Sequence, residues 1–170
     1  MSRALQFSLM VLLLSCVGCD QAIKILAKSH LSSRSPLEFL NGAVRMQYAE
    51  NTGAFLSLGA DLPKAARFLL FVGLVGPILI TGLAFAFKSD RMVLGQKMGL
   101  ILAVGGGIGN LIDRIAHGAV VDFVSLGIGP LRTGIFNLAD VAITIGLLLF
   151  LAAGPREDET VSAADGSDAA

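Results

Sequence analysis

Two carboxylates in this chain sit where a carboxylate is expensive. Asp122 lies in "VVDF" and Asp140 in "FNLAD", three residues after Asn137 and at the start of an apolar run. An isolated carboxylate in such surroundings protonates rather than keep its charge. Two that meet do something more specific. Their like charges disfavour double ionisation, so the pair shares one proton at moderate pH. One member is then a base that takes a proton from water, and the other an acid that protonates a carbonyl or a leaving amine. That chemistry suits peptide hydrolysis without a metal or a nucleophilic serine. Eighteen positions separate the two residues, so only the fold can make them neighbours.

Three further polar clusters interrupt apolar sequence, where such groups usually have a partner or a job. In "DQAIK", Asp20 and Lys24 are four apart with the acid first, which puts them on one helix face in the favourable order. Taken alone, this is a charge pair anchoring a helix end at the membrane interface. In "ENTGAFLS", Asn51 and Gly53 suit a turn with positive φ, and an Asn amide can hold a peptide backbone because it donates and accepts. In "GGGIGNLIDR", Asn110, Asp113 and Arg114 lie three and four apart on one helical face. The plain alternative there is helix-end capping with a satisfied ion pair. No Gly-Lys-Ser/Thr follows the glycines, which argues against a nucleotide site.

The elements that must position these residues are membrane spans. The 170-residue chain is 54% hydrophobic and 15% charged, with a mean hydropathy of +0.75. A soluble domain of this size needs a more polar surface. A formal net charge of zero gives no hint of a nucleic-acid partner. Trp is absent, so the usual aromatic belt is thin. Four runs approach the roughly 20 apolar residues a crossing needs: about 5–27, 66–87, 92–112 and 134–153. Four spans put both termini on one side. Glycine in the third lets helix backbones approach closely. The short link "KSDR" carries Lys88 and Arg91, with Lys97 beyond, but other loops carry Lys28, Arg34, Arg45 and Lys64, so the positive-inside count is not decisive.

The first span ends in "LLLSCVGCDQAIK", which looks like a lipoprotein signal sequence running up to a cysteine. Only Arg3 supplies a basic start and three more spans follow, so the segment reads as a retained helix. Cys16 and Cys19, three apart, read as small hydrophobes within it ahead of the alternative, a redox pair or metal site. Residues 28–64 are not membrane-like. "PLEFLNGAVRMQY" reads as a hairpin, with Asn41-Gly42 as a type I′ turn and Val44, Met46 and Tyr48 alternating with Arg45 and Gln47. The tail, 154–170, is acidic and rich in small residues, and is expected to be disordered and cytosolic.

Taken together and in order, "DQAIK", "ENTGAFLS", "GGGIGNLIDR", "VVDF" and "FNLAD" resemble the motifs of the bacterial lipoprotein signal peptidases, signal peptidase II. The resemblance covers Asp20 to about Ile143. It implies an all-α integral membrane protein of four transmembrane helices with a small extracytoplasmic β region, about 28–64, and a single peptidase domain, 1–153. It implies an aspartic endopeptidase of the bacterial inner membrane, both termini cytoplasmic and the active site near the outer face. The implied substrates are prolipoproteins, cut before a cysteine that carries diacylglyceryl, and the implied inhibitor is the cyclic peptide globomycin. No cofactor or metal is implied. By motif match Asp122 and Asp140 are the catalytic pair. Asn51, Gly53, Asn110, Arg114 and Asn137 match substrate- or inhibitor-binding positions, and Asp20, Lys24 and Asp113 match structural ones. The family more often has two small residues before the Phe of its second motif. Here Ala54 is followed directly by Phe55, so no role is carried to Leu56 or Ser57.

Two rival readings use the same residues. A small proton-coupled transporter would use the carboxylates as a relay. Its polar residues should lie at mid-depth, whereas these cluster near helix ends, and four spans are few. A membrane scaffold would use the polar motifs as packing glue between helices.

Overall fold

The computed structural model describes residues 1–53 and 59–154. Helix α1 (Arg3–Leu31) leads to a hairpin of β1 (Leu37–Phe39) and β2 (Val44–Asn51). A second span follows as α2 (Lys64–Phe68), a π-helical turn (Leu69–Leu74) and α3 (Val75–Lys88). Then come α4 (Leu94–His117), strands β3 (Val120–Ile128) and β4 (Leu131–Arg132), and α5 (Leu138–Ala152). Three helical stretches are long and apolar enough to cross a membrane, Arg3–Leu31, Lys64–Lys88 and Leu94–His117, and α5 is a shorter apolar helix. The architecture is a four-helix membrane bundle with one small antiparallel sheet. Large apolar side chains such as Leu14, Ile25, Leu69, Ile80 and Leu151 stand on its outer surface. A bundle in lipid has no reason to hide them.

Helix α4 is central and packs on α1, α3 and α5. Its glycines permit this. A Cβ on Gly106 would lie 2.3 Å from the Ala139 carbonyl oxygen, and one on Gly99 would lie 2.5 Å from that of Gly146. Leu9, Leu13, Ala86, Ile101 and Val104 form the buried core between α1, α3 and α4. Pro77, which has no N–H to donate four residues back, sits just after the π-helical turn.

The sheet order is β1-β2-β3-β4. Asn41 and Gly42 both have positive φ, as a type I′ turn requires, and the Ala43 amide donates to the Leu40 carbonyl at 3.1 Å. Leu40 is also at positive φ, and strand pairing begins only at Phe39 and Val44. The sheet departs from the sequence expectation in its source. Half of its strands come from 120–132, after α4, rather than from 28–64, and α1 runs on to Leu31. Met46 and Tyr48 pack with Ala27, Leu31 and Phe123, which ties the sheet to the end of α1. At the far end of the bundle Lys97 is buried, not a free surface charge. Its ammonium donates to the carbonyls of Ala86 and Ser89 at the end of α3.

Candidate active site

Asp122 comes from a strand with alternating faces. Phe123 packs against Ala27 and Leu31 of α1, so its neighbour Asp122 points to the opposite face. Asp140 comes from the first turn of α5. Asn137 caps that helix: its Oδ1 accepts from the Asp140 amide at 3.0 Å, and Asp140 Oδ2 accepts from the Asn137 amide at 3.1 Å. This is a capping box with Asp in the place usually held by Glu or Gln. The two carboxylates line one cavity of about 290 Å³, with Asn51, Asn110, Arg114 and residues 133–136 around them.

Two amides join the acids. Asn137 has both Nδ2 protons left after capping. It gives one to Asp122 Oδ1 at 2.7 Å and one to Asn110 Oδ1 at 3.1 Å. Asn110 Nδ2 donates to Asp140 Oδ1 at 2.9 Å. The orientation of Asn110 has a cause. Lys24 Nζ lies 2.9 Å from Asn110 Oδ1, and an ammonium can only donate. The amide must therefore turn its oxygen to Lys24 and its NH₂ to Asp140. Asn51 Nδ2 donates to the other oxygen of Asp122 at 3.1 Å, while its Oδ1 accepts from the Gly53 amide at 3.0 Å.

Beneath this layer lies a buried ionic cluster. Lys24 reaches Asp20 Oδ2 at 2.7 Å and Asp113 Oδ2 at 2.9 Å. With Asn110, that uses all three ammonium protons. Asp20 Oδ1 accepts from the Ala139 amide of α5 at 2.9 Å, and Asp113 Oδ2 accepts from the Val121 amide of β3 at 3.3 Å. Three charges thus tie α1, α4, α5 and β3 together directly under the acids. The sequence pattern suggests an interfacial anchor for Asp20 and Lys24. Instead both are buried, at 0% and 3% exposure, and a buried ion is tolerated only when paired and hydrogen-bonded. Asp113 parts company with Asn110 and Arg114, facing α1 rather than the cavity.

Arg114 spans the cavity rim. One terminal nitrogen donates to the Gly53 carbonyl at 2.7 Å and the other to the Asn110 carbonyl at 3.3 Å, and its guanidinium lies 5.1 Å from the Phe71 ring centroid. Phe71 comes from the π-helical turn, where no sequence pattern marks it as a site residue. Gln21 also escapes a sequence reading, although it lies inside "DQAIK". Its amide donates to Asp113 Oδ1 at 3.0 Å and to the Gly109 carbonyl at 3.1 Å. Leu56 and Ser57 lie outside the described residues. Among the described residues no group of three or more His, Cys, Asp or Glu side chains is set to hold a metal.

Burial pushes the Asp122 carboxyl up to about 6, and the nearby Asp140 charge adds to the rise. The amide donors on Asn51 and Asn137 pull the other way by stabilising the anion.

This fold is that of a bacterial membrane enzyme. Two solved structures described as bacterial membrane enzymes determined by the in meso method, at 2.3 Å and 1.9 Å resolution, superimpose with TM-scores of 0.75 and 0.74. They are 27% and 26% identical to the chain, cover 86% of it in each case, and are themselves covered over 86% and 91%. The model of the signal peptidase (SPase) II family matches residues 12–154. The chain therefore belongs to the signal peptidase II family, the lipoprotein signal peptidases. It is 39% identical over 128 residues to the lipoprotein signal peptidase of Sphingopyxis alaskensis, spanning 74% of this chain and 72% of the other. It is 37% identical over 140 residues to that of Caldicellulosiruptor bescii, spanning 82% and 85%.

Proposed function

We propose that this multi-pass membrane peptidase is an aspartic endopeptidase in which Asp122 and Asp140 are the catalytic pair. The observation that carries the reading is the two carboxylates on one cavity, wired to one another through Asn110 and Asn137. A water held between the acids loses a proton to the ionised one as it attacks the scissile carbonyl. The protonated acid gives its proton to that carbonyl. The other acid, now carrying the proton from water, passes it to the leaving amine as the C–N bond breaks, and the first acid recovers a proton from the diol hydroxyl as the new carboxyl forms. Asn51 and Asn137 hold Asp122 from two sides, and Asn110 holds Asp140, so neither carboxylate need reorganise as charge moves. Arg114 fixes the backbone at Gly53, at the rim of the cavity.

The substrate in this reading is a prolipoprotein whose cysteine carries diacylglyceryl, cut just before that cysteine in the inner membrane. Its acyl chains lie against the apolar helices, and each buried CH₂ contributes about 0.8 kcal/mol. Both termini then face the cytoplasm, residues 1–153 act as one peptidase unit, and globomycin competes for the cavity. The test is incubation of a diacylglyceryl-modified precursor with the purified protein, with and without globomycin. Asp122→Asn and Asp140→Asn are each expected to lower turnover by about 10²–10⁴-fold. Near-normal turnover by a correctly folded Asp140→Asn protein would refute its role.

A further inference from the structure

A second cavity lies on the other side of Arg114, and the peptidase reading does not use it. Its volume is about 790 Å³, and it opens where the second span begins and α4 ends. Lys64, Arg67 and Arg114 line it with His117, against one carboxylate, Glu50. That carboxylate is already engaged, accepting from the Tyr48 hydroxyl at 2.5 Å. Arg67 is oriented by donating to the Ala60 carbonyl at 3.0 Å. The buried Nε of Arg114 finds no hydrogen-bond partner among the described residues. Phe68, Leu69 and Ile115 also line the cavity, and all three are exposed on the lipid-facing surface. The cations therefore sit at the ends of two spans and the apolar side chains along them. That is the profile of a charged head group with hydrocarbon beneath it.

We propose that this cavity binds an anionic phospholipid by its phosphate. Arginine and lysine at a span end recognise phosphate by charge-assisted hydrogen bonds, and the apolar flank takes the acyl chains. An isolated interfacial lysine or arginine needs no cavity. Here two spans and the end of β2 build one around four basic side chains. A neutral zwitterionic lipid would leave the excess positive charge unanswered.

The test is native mass spectrometry and thermal unfolding of the full-length protein in detergent. The additives are phosphatidylglycerol, phosphatidylcholine, or inorganic phosphate with glycerol phosphate. Phosphatidylglycerol is expected to be retained and to raise the unfolding temperature, with phosphatidylcholine doing neither. Replacing Lys64 and Arg67 together by Gln should weaken phosphatidylglycerol binding about thirty-fold, at roughly 1 kcal/mol per basic side chain. Lys64→Gln alone, an exposed position, is the control for folding and should lose part of the effect. Equal retention of the two lipids, or unchanged binding by the folded double variant, would overturn the proposal. Protection by free phosphate equal to that by lipid would overturn the lipid assignment. The Asp140→Asn protein should bind phosphatidylglycerol normally, so failure here and failure of the peptidase reading are separable.

Discussion

At the scale of residues, one carboxylate has two duties. Asp140 faces the cavity with one oxygen and closes the cap of α5 with the other. Asp122 is held by two side-chain amides instead. Replacing Asp140 thus disturbs a helix cap as well as the cavity, whereas replacing Asp122 disturbs side-chain partners alone. Asp140→Asn should therefore cost about 1 kcal/mol more stability than Asp122→Asn, read as the difference in unfolding temperature, and Asp122→Asn is the better inert form for holding an uncut precursor. The raised Asp122 carboxyl also has a pH signature. Its folded value, about 6, lies above the unfolded one of roughly 4, so between these values the folded chain binds more protons. Stability then falls as pH rises from about 4 to 6 and levels off above, by up to about 3 kcal/mol. Asp122→Asn should flatten the curve of unfolding temperature against pH over that window. Lys24→Met leaves Asp20 and Asp113 buried and unpaired. It is expected to lose about 3–5 kcal/mol, seen as failure to accumulate or a collapsed unfolding transition. The types of these residues were legible in the sequence because polar groups stand out in apolar runs. Their duties were not. Asp20 and Lys24 are the same four-residue pair whether they anchor at an interface or sit buried under a site, and only packing decides.

At the scale of elements, the glycines of α4 set how closely α5, which carries Asp140, can approach. Gly106→Ala would push the new methyl into the carbonyl of Ala139, the residue just before Asp140. A loss of about 1–3 kcal/mol and a matching fall in turnover are expected. Gly18→Ala, where a Cβ meets nothing within 4 Å, should leave both unchanged. The four apolar runs and the Asn41-Gly42 turn announced their elements, since hydropathy and positive φ are local properties. Strand β3 was harder. Its run "VVDFVSLGI" is continuous in hydrophobicity rather than alternating, because one face packs on α1 and the other meets the site. The β-branched valines and the Gly129-Pro130 turn after it were the available signal. The π-helical turn left no mark beyond Pro77, and so Phe71 could not be placed against Arg114 from sequence.

At the scale of the whole molecule, the helices are unequal. Helix α1 has 29 residues and α5 has 15, or about 43 Å against about 22 Å at 1.5 Å per residue. The hydrocarbon layer is about 30 Å thick. The shortest of the four apolar spans is therefore the one whose first turn carries Asp140, and under the proposed function that opening turn would lie within the hydrocarbon layer. A precursor lacking its diacylglyceryl group should be cut far more slowly than the modified form at equal concentration, mostly through a higher KM. Length alone would then act as a gatekeeper. If Asp122 and Asp140 do the cutting, the blade is mounted below the waterline, and a peptide dragged down by its own grease is the one brought within range of it.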